Sequence, residues 1–312
     1  MILAALALSA CTRREPPREE STSTGSEEHG DGGGAAAPAR EAGGSVTLKG
    51  SDTMVILAQR WAEVFMREHA GFTIQVTGGG SGTGIAALIN GTTDVATASR
   101  PMKDAEKAQV QAQRRAAAQE TKVAVDALAV YVPESSPVQE LSIPQLQKIF
   151  TGQVTNWREV GGPNAPIVLY GRENNSGTYV YFKEHVLADA DFAASTQTLP
   201  GTAAVINAVS RDTHGIGYGG IAYAQGVRPL KIKPTDDAPA VEPNMITATN
   251  GTYPLSRFLF FYTAGAPTGA AKTFVDWVLS APGQTVIENV GYDPLPAGAG
   301  TAQAAATAPS GT

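Results

Sequence analysis

Apolar strand-like runs alternate with glycine-rich or polar turns and with amphipathic stretches along most of the chain. The alternating run Phe72–Val76 predicts a strand, and Ile85–Asn90 predicts a helix that ends at Gly91. The glycine-rich segment Gly78–Gly84 lies between them. Free backbone N–H groups and the positive end of the helix dipole meet at a helix N-terminus. This segment therefore predicts an anion site, and its glycines allow the backbone to approach a ligand closely.

The same order of strand, polar turn and helix occurs at the start of the first half. Val46–Lys49 predicts a strand, and Val55–His69 predicts a helix with one apolar face, capped by Asp52 or Thr53. An apolar strand follows at residues 94–98. Its C-terminal end carries Ser99 and Arg100.

A polar helix is predicted next, over Lys103–Gln119, with Glu106 among its solvated charges, and a long apolar strand over Val123–Val132. The second half repeats the pattern, and Ile167–Tyr170 predicts a strand before the polar turn Gly171–Thr178. Further helices are predicted at Ile143–Phe150, from Tyr179, and at Gly201–Ser210, Ala270–Leu279 and Thr285–Gly291, and further strands at His214–Tyr218 and Gly226–Ile232. The segment Pro254–Thr263 is apolar and could carry the chain back to its first half.

This alternation predicts an α/β fold with a parallel or mixed sheet. Ligands of such folds bind beyond the C-terminal ends of the strands, where Asp52, Ser81 and Arg100 fall. The chain has 312 residues, of which 42% are hydrophobic, enough for two domains with a core. Its formal net charge of −6 argues against nucleic acid as a partner.

The N-terminus predicts export. The apolar stretch Met1–Ala7 and the small residues before Cys11 resemble the lipobox of bacterial lipoproteins, although the usual basic residues are missing. We therefore expect a lipoprotein signal peptide over residues 1–11, lipidation of Cys11, and an extracytoplasmic protein anchored to the cell membrane. Low-complexity composition predicts a disordered tether at 12–44 and a disordered tail at 297–312.

Sequence signals of enzymes are weak. The glycine segment lacks the lysine of a P-loop and fits no dinucleotide-binding pattern. The four histidines show no metal-ligand spacing, and no G-x-S-x-G motif occurs. The chain has one cysteine, so it cannot form an internal disulfide. We expect neither cofactor nor metal, and no enzymatic activity.

Five segments together resemble one family. They are Gly50–Thr53, Gly78–Gly84, Ala98–Arg100, Thr151–Trp157 and Gly171–Thr178. In this order, across residues 45–296, they are similar to the PstS-type phosphate-binding proteins, the solute-binding subunits of the phosphate-specific ABC transporter. The pair formed by the glycine segment and Gly-Arg-x-x-x-Ser-Gly-Thr is the specific part of the resemblance.

The resemblance implies a two-lobed periplasmic-binding-protein fold of type II, with mixed sheets flanked by helices and hinge strands between the lobes. Lobe I would comprise residues 45–128 and 256–296, and lobe II residues 129–255. It also implies a site for inorganic phosphate. Carried over residue by residue, the phosphate-binding set is Asp52, Thr53, Ser81, Ser99, Arg100, Arg172, Ser176, Gly177 and Thr178.

This sequence departs from the family at one point. Some members have an aspartate, which accepts the phosphate proton, where this chain has Ser99 and Arg100. Asp52 is then the nearest candidate acceptor. The implied partners are inorganic phosphate, the permease subunits of an ABC transporter and, through the lipid anchor, the membrane, with the protein itself a monomer.

Other functions remain open from the residues alone. A site of this kind could bind sulfate, molybdate or tungstate instead of phosphate. A surface-anchored sensor or adhesin would use the same fold without transport. A secreted serine hydrolase or phosphatase would need a histidine beside Ser81 or Ser176, which a sequence cannot exclude.

Overall fold

The computed structural model describes residues 43–296. The predicted signal peptide, Cys11, most of the tether and the tail lie outside this range. The strands are β1 Ser45–Gly50, β2 Thr73–Thr77, β3 Val95–Ala98, β4 Ala118–Pro133, β5 Glu140–Ser142, β6 Val168–Arg172, β7 Gln197–Leu199, β8 Gly215–Gly220, β9 Val227–Pro229, β10 Lys231–Lys233 and β11 Ser256–Ala264. The helices are α1 Val55–Glu68, α2 Ser81–Asn90, α3 Asp104–Arg114, α4 Ile143–Phe150, α5 Gly177–His185, α6 Gly201–Arg211, α7 Met245–Thr249, α8 Gly269–Leu279 and α9 Ala281–Val290.

One mixed sheet runs through the described residues. Its strands lie in the order β2-β1-β3-β11-β4-β8-β6-β7, and β9 pairs with β4 to one side. The pairs of β1 with β2 and β3, and of β6 with β7 and β8, are parallel, whereas β11 and β4 are antiparallel to their neighbours. The predicted mixed sheet is confirmed, and strands β5 and β10 form a separate parallel pair.

Strand β4 belongs to both ends of the sheet. It pairs with β11 as far as Ala127 and with β8 from Leu128. We call the strands on the β11 side (β2, β1, β3 and β11) the first half and those on the β8 side (β8, β6 and β7) the second half. Trp61 and Phe274 belong to a core cluster on the first half, and Phe150 and Tyr218 to another on the second. Each half is therefore packed around core residues of its own.

Three predictions about the elements were wrong. The helix predicted over Lys103–Gln119 ends at Arg114, because Arg115 adopts a left-handed conformation (φ 56°). The strand predicted over Gly226–Ile232 is divided between β9 and β10, which join different sheets. Neither Asp52 nor Thr53 caps α1, since both lie in a 3₁₀ turn, Asp52–Met54, in front of it. Within residues 43–296, no helix is long and apolar enough to cross a bilayer.

Candidate functional site

The C-terminal ends of β1 and β3 bring polar side chains of the first half together. Asp52 follows β1, and its Oδ1 accepts a hydrogen bond of 2.8 Å from the backbone N–H of Gly79. Ser99 follows β3, and its backbone N–H donates to Ser81 Oγ at 3.1 Å. Parallel strands end at a common edge of the sheet, which is why segments distant in sequence meet here. Ser81 and Ser99 are both buried.

The glycine segment contacts Asn175, which lies between β6 and α5. Gly79 and Gly80 have positive φ of 111° and 89°, which favours glycine. A Cβ at Gly80 would lie 2.7 Å from the carbonyl oxygen of Asn175, and Gly82 donates its N–H to that oxygen at 2.9 Å. Asn175 also donates from Nδ2 to Gly79 O at 3.0 Å. Gly80 and Gly82 thus leave room for Asn175, a role that the sequence analysis did not foresee.

Arg172 is the last residue of β6, and its side chain is only 1% exposed. Nη2 donates to Asp52 Oδ2 at 2.6 Å, and Nη1 donates to Thr202 Oγ1 at 2.9 Å. Its Nε is buried and has no hydrogen-bond partner among the described residues. The guanidinium therefore forms a charge-assisted bond with the Asp52 carboxylate, and its buried Nε–H is left for another acceptor.

The N-terminus of α5 completes the cluster from the second half. Ser176 caps the helix by accepting from the N–H groups of Thr178 and Tyr179. A Cβ at Gly177 would lie 2.3 Å from Ser81 Oγ, so the helix end lies directly against the serine of α2. Thr178 Oγ1 is 2.8 Å from Thr53 Oγ1, and both threonines are buried. Helix α5 thus contributes hydroxyl groups and the positive end of its dipole.

Arg100 is the predicted site residue that the structure does not bring into this cluster. Its Nη1 and Nη2 donate to the two oxygens of Glu106 at 2.8 and 2.7 Å. Glu106, which was expected in solvent, instead pairs with this guanidinium. Only 6% of the Arg100 side chain is exposed. Only the Arg100 Nε, also buried, has no partner in the described part of the chain. The other eight predicted residues lie together.

Two residues at the site were missed by the sequence analysis. Asn175 lies inside the Gly171–Thr178 motif but had no role assigned to it. Arg257 of β11 contacts both Ser99 O and Thr178 Oγ1, at 3.2 and 3.1 Å, and pairs with the buried Asp126 of β4. The sequence signal was that Asp126 and Arg257 each stand as one charged residue in a long apolar run, and that their charges are opposite in sign. Such residues are buried only when they are paired.

A second buried carboxylate lies close to this pair. Asp293 is 3% exposed, and its backbone pairs in both directions with Val125, the neighbour of Asp126. Its Oδ2 has no hydrogen-bond partner within residues 43–296. Burial, and secondarily the charge of Asp126, raises the pKa of Asp293 to about 7 from the usual 3.8. The folded protein therefore favours the protonated form of Asp293.

Asp293 is expected to make the protein less stable as the pH rises from about 4 to 7. Over this range the unfolded chain ionises Asp293 while the folded protein keeps it neutral, so stability is full below pH 4 and is lost through pH 7. Asp293→Asn should remove this loss and stabilise the protein by up to about 4 kcal/mol at pH 8, and much less at pH 4. Urea unfolding at both pH values measures the difference. The exposed Asp276→Asn is the control, and an equal effect of Asp293→Asn at both pH values would contradict the prediction.

The chemistry of the cluster is that of an oxyanion site. The Arg172 guanidinium and five buried hydroxyl groups can donate, and one carboxylate, Asp52, can accept. No group of His, Cys, Asp or Glu among residues 43–296 is arranged to hold a metal ion. In that same range, neither Ser81 nor Ser176 has a histidine among its hydrogen-bond partners. The arrangement therefore provides groups that can bind an oxyanion.

Comparison with known proteins gives sequence relatives over most of the chain. Residues 35–282 match the family model described as a PBP superfamily domain. The phosphate-binding protein PstS of Pseudomonas aeruginosa is 37% identical over 276 residues, 83% of this chain and 85% of the relative. The phosphate-binding protein PstS of Bacillus subtilis is 32% identical over 260 residues, 82% of each chain.

Solved structures resemble the fold as well. A Clostridium perfringens protein solved with bound phosphate has a TM-score of 0.73 and 28% identity, over 81% of this chain and 100% of the other. An ABC-type phosphate transport receptor from Vibrio cholerae has a TM-score of 0.65 and 25% identity, over 80% of this chain and 99% of that one. The similarity thus extends over both halves of the sheet.

Proposed function

The chain belongs to the PstS-type phosphate-binding proteins of the PBP superfamily, and on this basis we propose that it captures inorganic phosphate outside the cytoplasm and delivers it to an ABC transporter. The family and the α/β fold predicted from the sequence are confirmed by the relatives and by the solved structures. The relatives include a protein with bound phosphate, and none reported above is described as binding sulfate, molybdate or tungstate.

We propose that phosphate binds where the polar ends of the two halves meet. The observation that carries this proposal is the pair of the buried Arg172 with the half-buried Asp52, with hydroxyl groups around it and a helix N-terminus on either side. A tetrahedral oxyanion needs several donors in different directions, and these groups supply them. The proposed ligands are Asp52, Thr53, Ser81, Ser99, Arg172, Ser176, Gly177 and Thr178. Arg100 is left out because Glu106 holds its guanidinium.

Asp52 is the proposed acceptor of the phosphate proton. Its Oδ2 accepts from Arg172, but a carboxylate oxygen can accept more than one hydrogen bond. Protonated phosphate can donate to it, whereas sulfate has no proton and would face it with a like charge. Such a group can reject the wrong ligand by about 10⁴-fold. In this chain the phosphate proton would therefore be accepted by Asp52, in the turn after β1, and not by a residue of the segment after β3.

We propose that residues 45–128 with 256–296, and residues 129–255, act as two lobes that close on phosphate. Support comes from β4, which changes pairing partner between Ala127 and Leu128, and from the separate core clusters of the two halves. Asp52–Arg172 and Gly82–Asn175 are contacts across that division. Equal radii of gyration by small-angle scattering with and without phosphate would count against closure.

Asn175→Ala is expected to speed phosphate release by about three- to tenfold with little change in the association rate. Its Nδ2 bonds to Gly79 O and Thr83 Oγ1, at 3.0 and 3.2 Å, join the proposed lobes without being part of the ligand set. Hydrogen bonds of this kind contribute about 0.5–1.5 kcal/mol each. Stopped-flow kinetics measures both rates. The exposed neighbour Asn174→Ala is the control, and an altered preference for phosphate over sulfate would instead place Asn175 among the ligands.

The proposed delivery route uses the N-terminus. Lipidation of Cys11 would anchor the protein to the membrane, and residues 12–44 would connect this anchor to a monomeric binding domain. The closed, loaded protein would dock on the permease subunits. We propose that the protein itself does no chemistry, since its relatives are transport proteins and its site serines face hydroxyl and backbone groups.

Calorimetric titration of the purified protein with phosphate, with sulfate as competitor, tests the proposal. We expect tight phosphate binding that excess sulfate does not weaken. Equal competition by sulfate would mean that no carboxylate reads the phosphate proton. Absence of binding by either anion would overturn the ligand assignment and leave only the fold.

A further inference from the structure

Arg257 lies where β4 changes from one half of the sheet to the other. It pairs in register with Asp126, directly across the antiparallel ladder, so both side chains are on the same face of the sheet. Its Nε and Nη2 donate to Asp126 Oδ2 at 2.9 and 2.8 Å. The two side chains are 2% and 0% exposed. Asp126 therefore holds the guanidinium in one orientation.

That orientation directs the remaining donors of Arg257 toward the proposed phosphate site. Nη1 donates to Ser99 O at 3.2 Å, and Nη2 also donates to Thr178 Oγ1 at 3.1 Å. The ring of Tyr181 lies 5.3 Å from the guanidinium carbon and limits movement on that side. Arg257 thus connects the strand end that carries Ser99 with the helix that carries Thr178.

The contact with Thr178 fixes the direction of a hydroxyl proton. A guanidinium has donors only, so Thr178 Oγ1 accepts from Arg257 and its own hydrogen is repelled toward the opposite side. Thr53 Oγ1, 2.8 Å away, can donate to the second lone pair of the same oxygen, which leaves the Thr178 hydrogen for a third partner. We propose that Arg257 is a positioning residue for phosphate binding, which holds the Thr178 hydroxyl as a donor to the anion.

This inference rests on the proposed function and adds that the site has separate donor and acceptor sides. Thr178 would donate a hydrogen bond to the anion on one side, whereas Asp52 would accept one on the other. The unprotonated oxygens of phosphate would then bind at Thr178 and the protonated oxygen at Asp52. Arg257 would determine this arrangement without contacting the ligand, because it donates a hydrogen bond to the oxygen of the Thr178 hydroxyl.

The test is a double-mutant cycle between Arg257 and Thr178, measured by calorimetric titration with inorganic phosphate. Because removal of Arg257 alone would leave Asp126 buried and unpaired, the variant is Arg257→Gln combined with Asp126→Asn. It should bind phosphate about tenfold more weakly, since one charge-directed hydrogen bond is lost. In the Thr178→Val background the same two substitutions should lower the phosphate affinity by less than twofold. In the Thr178→Ser background they should again lower it by about tenfold.

Equal losses in the Thr178→Val and wild-type backgrounds would overturn the proposal, because Arg257 would then act through charge or general structure. Wild-type affinity in the Arg257→Gln, Asp126→Asn variant would also overturn it. Thermal unfolding of each variant shows whether it is folded, and Arg257→Lys gives a second route if the double variant is not. The same comparison applies to Arg257→Lys. The loss of phosphate affinity that it causes must be smaller in the Thr178→Val background than in the wild-type background. Failure of the wild-type protein to bind phosphate would instead refute the proposed function.

Discussion

Arg172→Ala is expected to weaken phosphate binding by at least about 100-fold. The guanidinium is buried at the end of β6, and it holds Asp52 through a bond of 2.6 Å. Its removal takes away charge-assisted hydrogen bonds worth about 1.5–3 kcal/mol each and leaves the Asp52 carboxylate to repel the incoming anion. Calorimetric titration with phosphate measures the loss, and thermal unfolding verifies that the variant is folded.

Arg100→Ala is the matched comparison for this prediction. Its guanidinium is also buried and also paired with a carboxylate, but that carboxylate is Glu106 on the neighbouring helix. We expect lower stability with phosphate affinity within about twofold of the wild type, since the pair lies apart from the site. A loss in Arg100→Ala as large as that in Arg172→Ala would return Arg100 to the ligand set. Unchanged affinity in Arg172→Ala would remove Arg172 from it.

Asp52→Asn is expected to abolish most of the preference for phosphate over sulfate. An amide can donate to a sulfate oxygen where the carboxylate would repel it, so the rejection of up to about 10⁴-fold should fall to roughly tenfold or less. Phosphate itself loses one acceptor and binds more weakly. Competition calorimetry with the two anions at pH 5 and pH 8 gives the ratio under both conditions.

Asp94→Asn provides the matched carboxylate control. Asp94 accepts from the backbone N–H and the hydroxyl of Thr47, both at 2.8 Å, and is not among the proposed ligands. Its replacement should leave the ratio of the two affinities unchanged. If Asp52→Asn also leaves that ratio unchanged, another group accepts the phosphate proton and the assignment of Asp52 is wrong.

Local patterns in the sequence predicted most elements because each carries its own signals. The helix Ile143–Phe150 has the predicted bounds, with Ser142 as its cap, and α2 ends before Gly91 as expected. The error over Gly226–Ile232 has a different origin. That run has the composition of a single strand, but its two ends pair with β4 and β5 respectively, and these partners are far away in sequence.

The candidate site was predicted where motifs carry the binding groups, and it was missed where tertiary pairing decides. Ser81 and Arg172 come from short motifs, so their positions could be read from the chain. The partner of Arg100 could not, because a glutamate on a polar helix normally faces solvent and here faces inward. Arg257 becomes relevant only because Asp126, on another strand, turns it toward Thr178.

The course of β11 has a consequence for the order of folding. All of β5 to β10 lies between the two strands β4 and β11, and Ala248, Tyr253 and Leu255 complete the core of the second half, so this half is complete in sequence once residue 255 has been synthesised. The first half must wait for β11, which pairs with β3 and β4, and for α8 and α9, which supply Phe274 and Val286 to its core. Until then the β3 edge lacks its neighbour. Although it contains the start of the described chain, the first half is therefore the last to be completed during synthesis from the N-terminus.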